Sequence, residues 1–332
     1  MKVSVIIPTY NRAYMICETI MNLFQQDFPK ENFEIIVVNN NSSDNTLERL
    51  RNFTIEYNGK YNVSVVNECR IGDVYARNTG AAVAHGEYLF FTDDDANFDT
   101  NWISCMVQIL DEYPRVAMVG SRIEILWDEK PEAWIKQYEY LLGQISKGDS
   151  GYIISSKGFC IPNGSLAIRK KVFLEVGGNN PGQIGEYLVG NGEVGLFNKV
   201  KALGYQVAFT DDTTMWHLQT KKKNATHHDI LRRLENCAIS DAYTDVVERN
   251  VVKYRNVKRY KMSMLKNLLF IRRARFRRSY FRYKSDLKYN EFVDKYSDQK
   301  FLDSIKIEDC VLNETYFIPP IIYQTAICND DK

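Results

Sequence analysis

Short continuous apolar runs alternate with amphipathic stretches over the first 120 residues. Runs at residues 3–7, 34–38, 63–66, 87–92 and 116–119 are rich in Val, Ile, Leu and Phe and end in Pro or polar residues, which predicts buried strands. Between them, residues 12–27, 44–53, 74–84 and 101–113 read as helices, with stops near Pro29, His85-Gly86 and Pro114. Repeated strand–helix units predict a Rossmann-like α/β fold, a mainly parallel sheet with helices on both faces. In such sheets ligands bind beyond the carboxyl ends of the strands. Polar clusters stand there: Thr9-Tyr10-Asn11-Arg12, Asn39-Asn40-Asn41-Ser42 and Asp93-Asp94-Asp95.

From 121 to 225 the pattern is less regular. It holds Trp127, Trp134, a Gly-rich stretch at 177–195, a helix at 193–203 ended by Gly204, and a strand at 205–209 before Asp211-Asp212 and Trp216-His217. Beyond Lys221-Lys222-Lys223, residues 228–300 are charged, aromatic and helical in pattern, with no Gly or Pro. A boundary near 225 therefore divides an α/β domain, 1–225, from a helical basic region, 226–332.

The composition, 45% hydrophobic, 13% aromatic and 26% charged, is that of a soluble globular protein and excludes disorder as the main state. No apolar run is long enough to span a bilayer, and the one at the N-terminus is too short for a signal peptide. Seven scattered cysteines (Cys17, Cys69, Cys105, Cys160, Cys237, Cys310, Cys328) with no CxxC argue against a disulfide framework or zinc site and for a reducing compartment, the cytoplasm. The net charge of +1 hides a segregation. Residues 253–288 hold 14 Lys or Arg against a single acid, Asp286, so that window carries +13 and the remainder −12.

The strongest chemical signal is Asp93-Asp94-Asp95 directly after a buried apolar run. Adjacent carboxylates repel, and a divalent metal with a preference for oxygen ligands offsets that repulsion. The plainer alternative is a solvated acidic turn capping the next helix. Arg77 just upstream and His217 after a later strand favour the metal, although a lone His is more often structural.

These residues, in order and spacing, resemble glycosyltransferase family 2. The resemblance runs through Val5-Ile6-Ile7-Pro8-Thr9-Tyr10-Asn11-Arg12, Ile36-Val37-Val38-Asn39-Asn40-Asn41-Ser42-Ser43-Asp44, Ala76-Arg77-Asn78-Thr79-Gly80 and Gly86-Glu87-Tyr88-Leu89-Phe90-Phe91-Thr92-Asp93-Asp94-Asp95. It continues at Asn163-Gly164-Ser165, Val176-Gly177-Gly178, Gly192-Glu193 and Trp216-His217, so that it covers roughly residues 1–220. The resemblance implies a GT-A fold and metal-dependent, inverting transfer of a sugar from a nucleotide sugar to a hydroxyl of a glycan or lipid-linked acceptor. Pro8, Tyr10 and Arg12 would border the nucleotide. Asn39 stands where the family usually has an Asp that contacts the base, and an amide both donates to and accepts from a base edge. A UDP-sugar is the favoured donor. Arg70 and Arg77 would face phosphate or the acidic cluster, and Asp93 and Asp94 the ribose and sugar. Asp95 and His217 would bind Mn²⁺ or Mg²⁺. Glu193 would be the catalytic base; standing alone it would be read as an acid favouring a helix N-terminus. Trp127, Trp134, Phe159 and Asn163 are candidates for the acceptor side, ordinary core being the plainer reading of the aromatics.

Two other functions are weighed. A non-catalytic carbohydrate- or nucleotide-binding protein on the same fold stays open. A nicotinamide-dependent oxidoreductase lacks GxGxxG after the first strand, where Pro8-Thr9-Tyr10 stands. The basic window suits an anionic membrane surface or a lipid diphosphate, which would place the protein at the inner face of a bacterial membrane, building cell-surface polysaccharide or glycoconjugate. A helical appendage packed on the acidic remainder, or an oligomer contact, is the alternative. Nucleic acid is not expected.

Overall fold

The computed structural model describes residues 1–148, 151–155, 161–179, 183–184, 187–188, 192–298 and 300. Four parallel strands form one half of the main sheet: β1 (Val3–Thr9), β2 (Phe33–Asn39), β3 (Val63–Asn67) and β4 (Tyr88–Thr92). The other half is mixed. It contains β5 (Ala96–Phe98), β6 (Val116–Trp127), β7 (Tyr152–Ser155), β8 (Ser165–Arg169) and β11 (Gln206–Gln219). Two two-residue strands, β9 (Gln183–Ile184) and β10 (Tyr187–Leu188), pair with each other. The order across the main sheet is β3-β2-β1-β4-β8-β6-β11-β5, with β7 also on β11.

The expectation of a mainly parallel sheet is thus met on one side and corrected on the other. β8 runs antiparallel to both β4 and β6, and β11 is parallel to β6 but antiparallel to β5 and β7. Of the strands that run antiparallel, β5, β7 and β8 are short, with no long apolar run in their sequences. The strand expected at 205–209 is instead long and crosses a break in register at Thr210/Thr214, where Asp211 is held by Arg122 Nε at 3.0 Å and by the Lys147 amide at 2.9 Å.

Helices α1 (Ile16–Leu23), α2 (Thr46–Glu56), α3 (Asp73–Val83), α4 (Trp102–Glu112), α5 (Lys170–Glu175) and α6 (Gly192–Ala202) flank the sheet. Two apolar layers result. One gathers Ile7, Ile20, Val37, Phe90 and Trp102, the other Ile6, Val38, Phe91, Phe173 and Leu196. α1 begins later than the helix expected from residue 12. Asn11 sits at φ +53°, its side-chain oxygen accepts from the Ser43 amide at 2.8 Å, and the Arg12 amide donates to Thr46 Oγ1 at 3.0 Å. Those bonds draw residues 10–15 out of the helix as a loop over the start of α2.

The remaining helices, α7 (Lys221–Asn224), α8 (His227–Tyr243), α9 (Lys258–Leu269) and α10 (Arg273–Tyr296), form the C-terminal part. α8 starts with a reciprocal capping box between Thr226 and Asp229. Ala238, Ile239, Ala242 and Tyr243 of α8 pack on Tyr289, Phe292, Val293 and Tyr296 of α10. Ile230 and Phe281 share a second small core with Ile135 and Tyr138 of the α/β part. The helices therefore rest on the sheet region through apolar contact. Among the described residues, no helix is long and apolar enough to cross a membrane.

Cysteine chemistry needs a correction. Cys17, Cys105 and Cys237 are free thiols, but Cys69 is disulfide-bonded. Scatter along the sequence does not measure separation in space, and the bond removes the cysteine argument for a reducing compartment.

α3 lies close against β1 and β2 because it carries Gly80. A Cβ there would meet Ile6 Cγ2 at 2.4 Å and Val38 Cγ2 at 3.1 Å. On an exposed helix, Gly→Ala would gain up to about 1 kcal/mol of propensity. Here overpacking of a close helix–sheet contact, about 1–3 kcal/mol, should win. Gly80→Ala is expected to lower the urea midpoint without changing the slope; a raised midpoint would contradict this packing.

Candidate active site

The carboxyl ends of β1, β2 and β4 meet at one edge of the sheet, where Thr9 pairs with Asn39 and the chain leaves β4 into Asp93-Asp94-Asp95. A cavity of about 430 Å³ opens there. It is lined by Pro8 from the end of β1, Tyr10 and Arg12 from the loop after it, Asp73 and Arg77 from α3, the three aspartates, His217 and Gln219 from β11, and Asn224 and Arg233 beyond it.

Each carboxylate has its own set of partners, with Arg12 shared by Asp94 and Asp95. Asp93 accepts from Arg77 Nη2 at 2.6 Å. Asp94 accepts from Thr9 Oγ1 at 2.6 Å and lies 3.7 Å from Arg12 Nε. Asp95 lies 3.6 Å from Arg12 Nη2 and 3.1 Å from His217 Nε2. Arg77 is itself buried and also donates to the Thr92 carbonyl at 3.1 Å, so it ties the cluster to the end of its strand. Gly164 comes close enough to Asp93 that a Cβ would sit 2.9 Å from its Oδ2.

These environments divide the protons. Burial, and next the Asp95 charge, push the Asp94 carboxyl up to about 7. Burial would also raise Asp95, but the hydrogen bond and charge of His217, with Arg12, hold it below the usual carboxylate range. Burial opposes the His217 charge, yet the bond to Asp95 and the charges of Asp95 and Asp93 raise His217 to about 9.

Asp93, Asp95 and His217 offer one ligand atom each, all within 4.8 Å of one another. Two carboxylate oxygens and an imidazole suit Mn²⁺ or Mg²⁺ better than a thiolate-seeking ion. The imidazole is also set for that role. Its Nδ1 lies 2.8 Å from the Leu142 carbonyl, which turns Nε2 toward the carboxylates. β5 pairs directly with the strand carrying His217, and the Leu218 amide donates to the Asp95 carbonyl at 2.8 Å, which locks the two halves of the cluster together. The donor set therefore fits a divalent cation.

The other residues singled out from sequence fall in several places. Asn39 is buried and donates to Asn67 Oδ1 at 3.1 Å; its neighbour Asn40 lines the cavity instead. Arg70 grips the buried Glu68 with Nε at 2.9 Å and Nη2 at 2.7 Å and is outside the cavity lining. Asn163 is buried, and its carbonyl accepts from Arg77 Nη1 at 3.4 Å. Trp127 donates to Glu139 Oε1 at 2.9 Å, and Trp134 stacks on His227 at 4.5 Å beneath the Arg277 guanidinium. Both tryptophans pack beside the small core that joins the C-terminal helices to the sheet region. Glu193 is the second residue of α6, and its side chain lies outside the described residues, as does Phe159.

Arg233 had no place in the sequence reading, because residues beyond 225 read as a separate basic region. It reaches the cavity from α8, donating to the Leu141 carbonyl at 3.3 Å and to Asn224 Oδ1 at 3.2 Å. Its Nε is buried without a hydrogen-bond partner among the described residues, and burial pushes its pKa down. The only available signal was the polar series Gln219, Asn224 and Arg233 directly after Trp216-His217.

An α/β sheet with an acidic cluster and a histidine at the carboxyl ends of its central strands is the arrangement of the GT-A class. The chain belongs to glycosyl transferase family 2, whose sequence profile matches residues 4–177. Glycosyltransferase AglE of Haloferax volcanii is 28% identical over 216 residues, 65% of this chain and 66% of AglE. A dolichyl N-acetyl-α-D-glucosaminyl phosphate 3-β-D-2,3-diacetamido-2,3-dideoxy-β-D-glucuronosyltransferase of Methanococcus voltae is 30% identical over 161 residues, 47% of this chain and 49% of that one. The matched region thus spans half to two thirds of the length of these relatives. In fold, the chain is similar to a mannosyltransferase of Pyrobaculum calidifontis solved with GDP-Man and Mn²⁺, at a TM-score of 0.56 and 24% identity over 74% of this chain and 64% of that one.

Arg77 is the main counter-charge of Asp93. Arg77 is buried but the Asp93 side chain is 31% exposed, so removing the arginine should cost less than in a fully buried pair, about 1–3 kcal/mol, because solvent partly screens the charge left behind. Arg77→Ala should lose stability on that scale in urea unfolding, and Asp93→Asn in the same chain should recover part of the loss. Additive losses in the double variant would contradict the pairing.

Proposed function

We propose that this protein transfers a sugar, with inversion, from a nucleotide-sugar donor to a hydroxyl of a glycan or lipid-linked acceptor. The observation that carries the reading is the convergence of Asp93, Asp95 and His217 in a cavity also lined by Arg12, Arg77 and Arg233. Asp93, Asp95 and His217 would hold Mn²⁺ or Mg²⁺, which when bound neutralises charge on the donor diphosphate.

The protein's own groups divide the remaining work. Pro8, Tyr10, Arg12 and Asn40 border the nucleoside. Arg12 and Arg77 already face carboxylates. Arg233 has its guanidinium against a carbonyl and an amide instead, and is the cation we assign to the donor phosphates. Negative charge builds on the leaving nucleoside diphosphate as the anomeric bond breaks, and fixed cations stabilise that change without reorganising. Glu193, in the first turn of α6, takes the proton from the acceptor hydroxyl as it attacks the opposite face of the anomeric carbon. Asn78, next to Arg77 on α3, holds Asn179 through two bonds: it donates to the Asn179 carbonyl at 2.9 Å and accepts from the Asn179 amide at 3.0 Å. The names of relatives that act on dolichyl phosphate glycans support a lipid-linked acceptor. A UDP-sugar is the donor to try first, GDP-linked sugars second.

A panel of nucleotide sugars, incubated with Mn²⁺ and assayed for release of nucleoside diphosphate, tests the reading. Turnover should disappear in excess EDTA and in Asp95→Ala. Glu193→Gln keeps the size but cannot accept a proton, so it should bind donor as the parent does and lose about 10² or more in turnover. Full turnover in EDTA, or a Gln variant as fast as the parent, would contradict it.

A further inference from the structure

We propose that the α9–α10 hairpin docks this protein on an anionic bilayer, its apolar turn entering the interface and an arginine-lined pocket beside it taking lipid phosphate.

The two helices run antiparallel. Ser263 Oγ lies 2.8 Å from Ser279 Oγ, and the Lys261 ammonium sits 5.6 Å from the centre of the Tyr283 ring, which places the turn at residues 270–272. The base of the hairpin is packed. Phe281, Tyr289 and Phe292 of α10 are buried against α8 and the sheet region. The turn is not. Leu268, Leu269, Phe270 and Ile271 are consecutive and 62%, 71%, 62% and 80% exposed, and Met262 and Leu265 extend the patch along α9. Scattered apolar residues on a surface are ordinary, but a contiguous group of this kind marks a binding surface. Ile271 also holds φ at +52°, a conformation that a β-branched side chain adopts only at a cost.

The charge around this turn has one sign. Residues 258–284 hold eleven Lys or Arg and no Asp or Glu. Among the described residues none of the eleven forms a salt bridge, whereas Arg255 and Lys288, just outside the window, both do. On one flank, Arg259, Arg275, Arg278 and Arg282 surround a pocket of about 490 Å³ with the Ser263 and Ser279 hydroxyls among its lining. Guanidinium forks with hydroxyl donors are the chemistry that recognises a phosphate. On the other flank, Leu268, Ile271, Phe276 and Tyr280 line an apolar cavity of about 370 Å³.

A bilayer surface is the occupant that meets both halves at once, apolar below the headgroups and anionic at them. A polynucleotide would engage the cations but offers nothing to Leu268, Leu269 and Ile271, since strand binding uses aromatic platforms. A second copy of the same turn would set its eleven cations against the first eleven. Docking does not rest on the transferase reading, and the two can fail separately.

Flotation of the full chain with phosphatidylcholine vesicles, with and without phosphatidylglycerol, tests the proposal. Binding should require phosphatidylglycerol and weaken as salt rises. Leu269→Ser with Ile271→Asn should reduce it about tenfold or more, since apolar burial is lost. Asn tolerates the left-handed backbone of position 271, so this variant should fold at least as well as the parent. Arg259→Gln with Arg278→Gln should reduce binding similarly, and donor turnover in solution should be unchanged in both variants. No flotation on anionic vesicles at low salt would overturn the proposal. So would full binding by the Leu269/Ile271 variant, duplex DNA binding that displaces the vesicles, or a dimer in sedimentation that this variant abolishes.

Discussion

Three adjacent carboxylates at the end of a buried central strand are the constraint around which this molecule is arranged. Left alone, they would repel one another at the point where β4 leaves the core. The fold answers with one partner from each surrounding element: Arg12 from the loop after β1, Arg77 from α3 and His217 from β11. Each of those positions depends on something further out. Arg77 needs α3 close to the sheet, which Gly80 permits. His217 needs β11 paired with β5 and its Nδ1 turned to Leu142. Arg12 needs the left-handed Asn11 and the bonds to Ser43 and Thr46. The same concentration of charge that costs stability is what fits the site for a divalent cation and an anionic substrate.

Much of this was visible in the pattern of residues. The parallel half of the sheet has continuous Val, Ile and Phe runs, and both the strands and the polar clusters at their ends follow from that pattern. Asp95 and His217 could be paired as metal ligands although they lie 122 positions apart, whereas Asp93, expected at the ribose and sugar, joins them only in space. In the mixed half, β6 and β11 were legible in part from the runs at 116–119 and 205–209, but β5, β7 and β8 were not, because they are short and their partners distant. Arg70 and Asn39 look like ligand contacts by type, but Glu68 and Asn67 hold them, and a buried acid such as Glu68 gives no periodic signal. Arg233 was missed for the opposite reason. It sits among basic helices whose composition differs from the α/β part, and only packing shows that α8 returns to the cavity.

The C-terminal helices connect two chemistries. α8 brings Arg233 to the cavity, and His227 at its start stacks on Trp134, which also lies beneath Arg277 of α10. α10 then runs back to a cationic turn with an apolar tip. A chain of nearly neutral total thus carries its net positive charge in the α9–α10 hairpin and its net negative charge spread over the rest, the two joined by buried aromatic contacts.

If the aspartate–histidine cluster is a metal-dependent anion site, calorimetric titration of UDP and GDP into the protein, with and without Mn²⁺, will show it. A nucleoside diphosphate should bind tightly only with Mn²⁺ present, and Asp95→Ala should remove this dependence while the protein stays folded. Equal affinity in EDTA and in Mn²⁺, or an unchanged Mn²⁺ effect in Asp95→Ala, would contradict it.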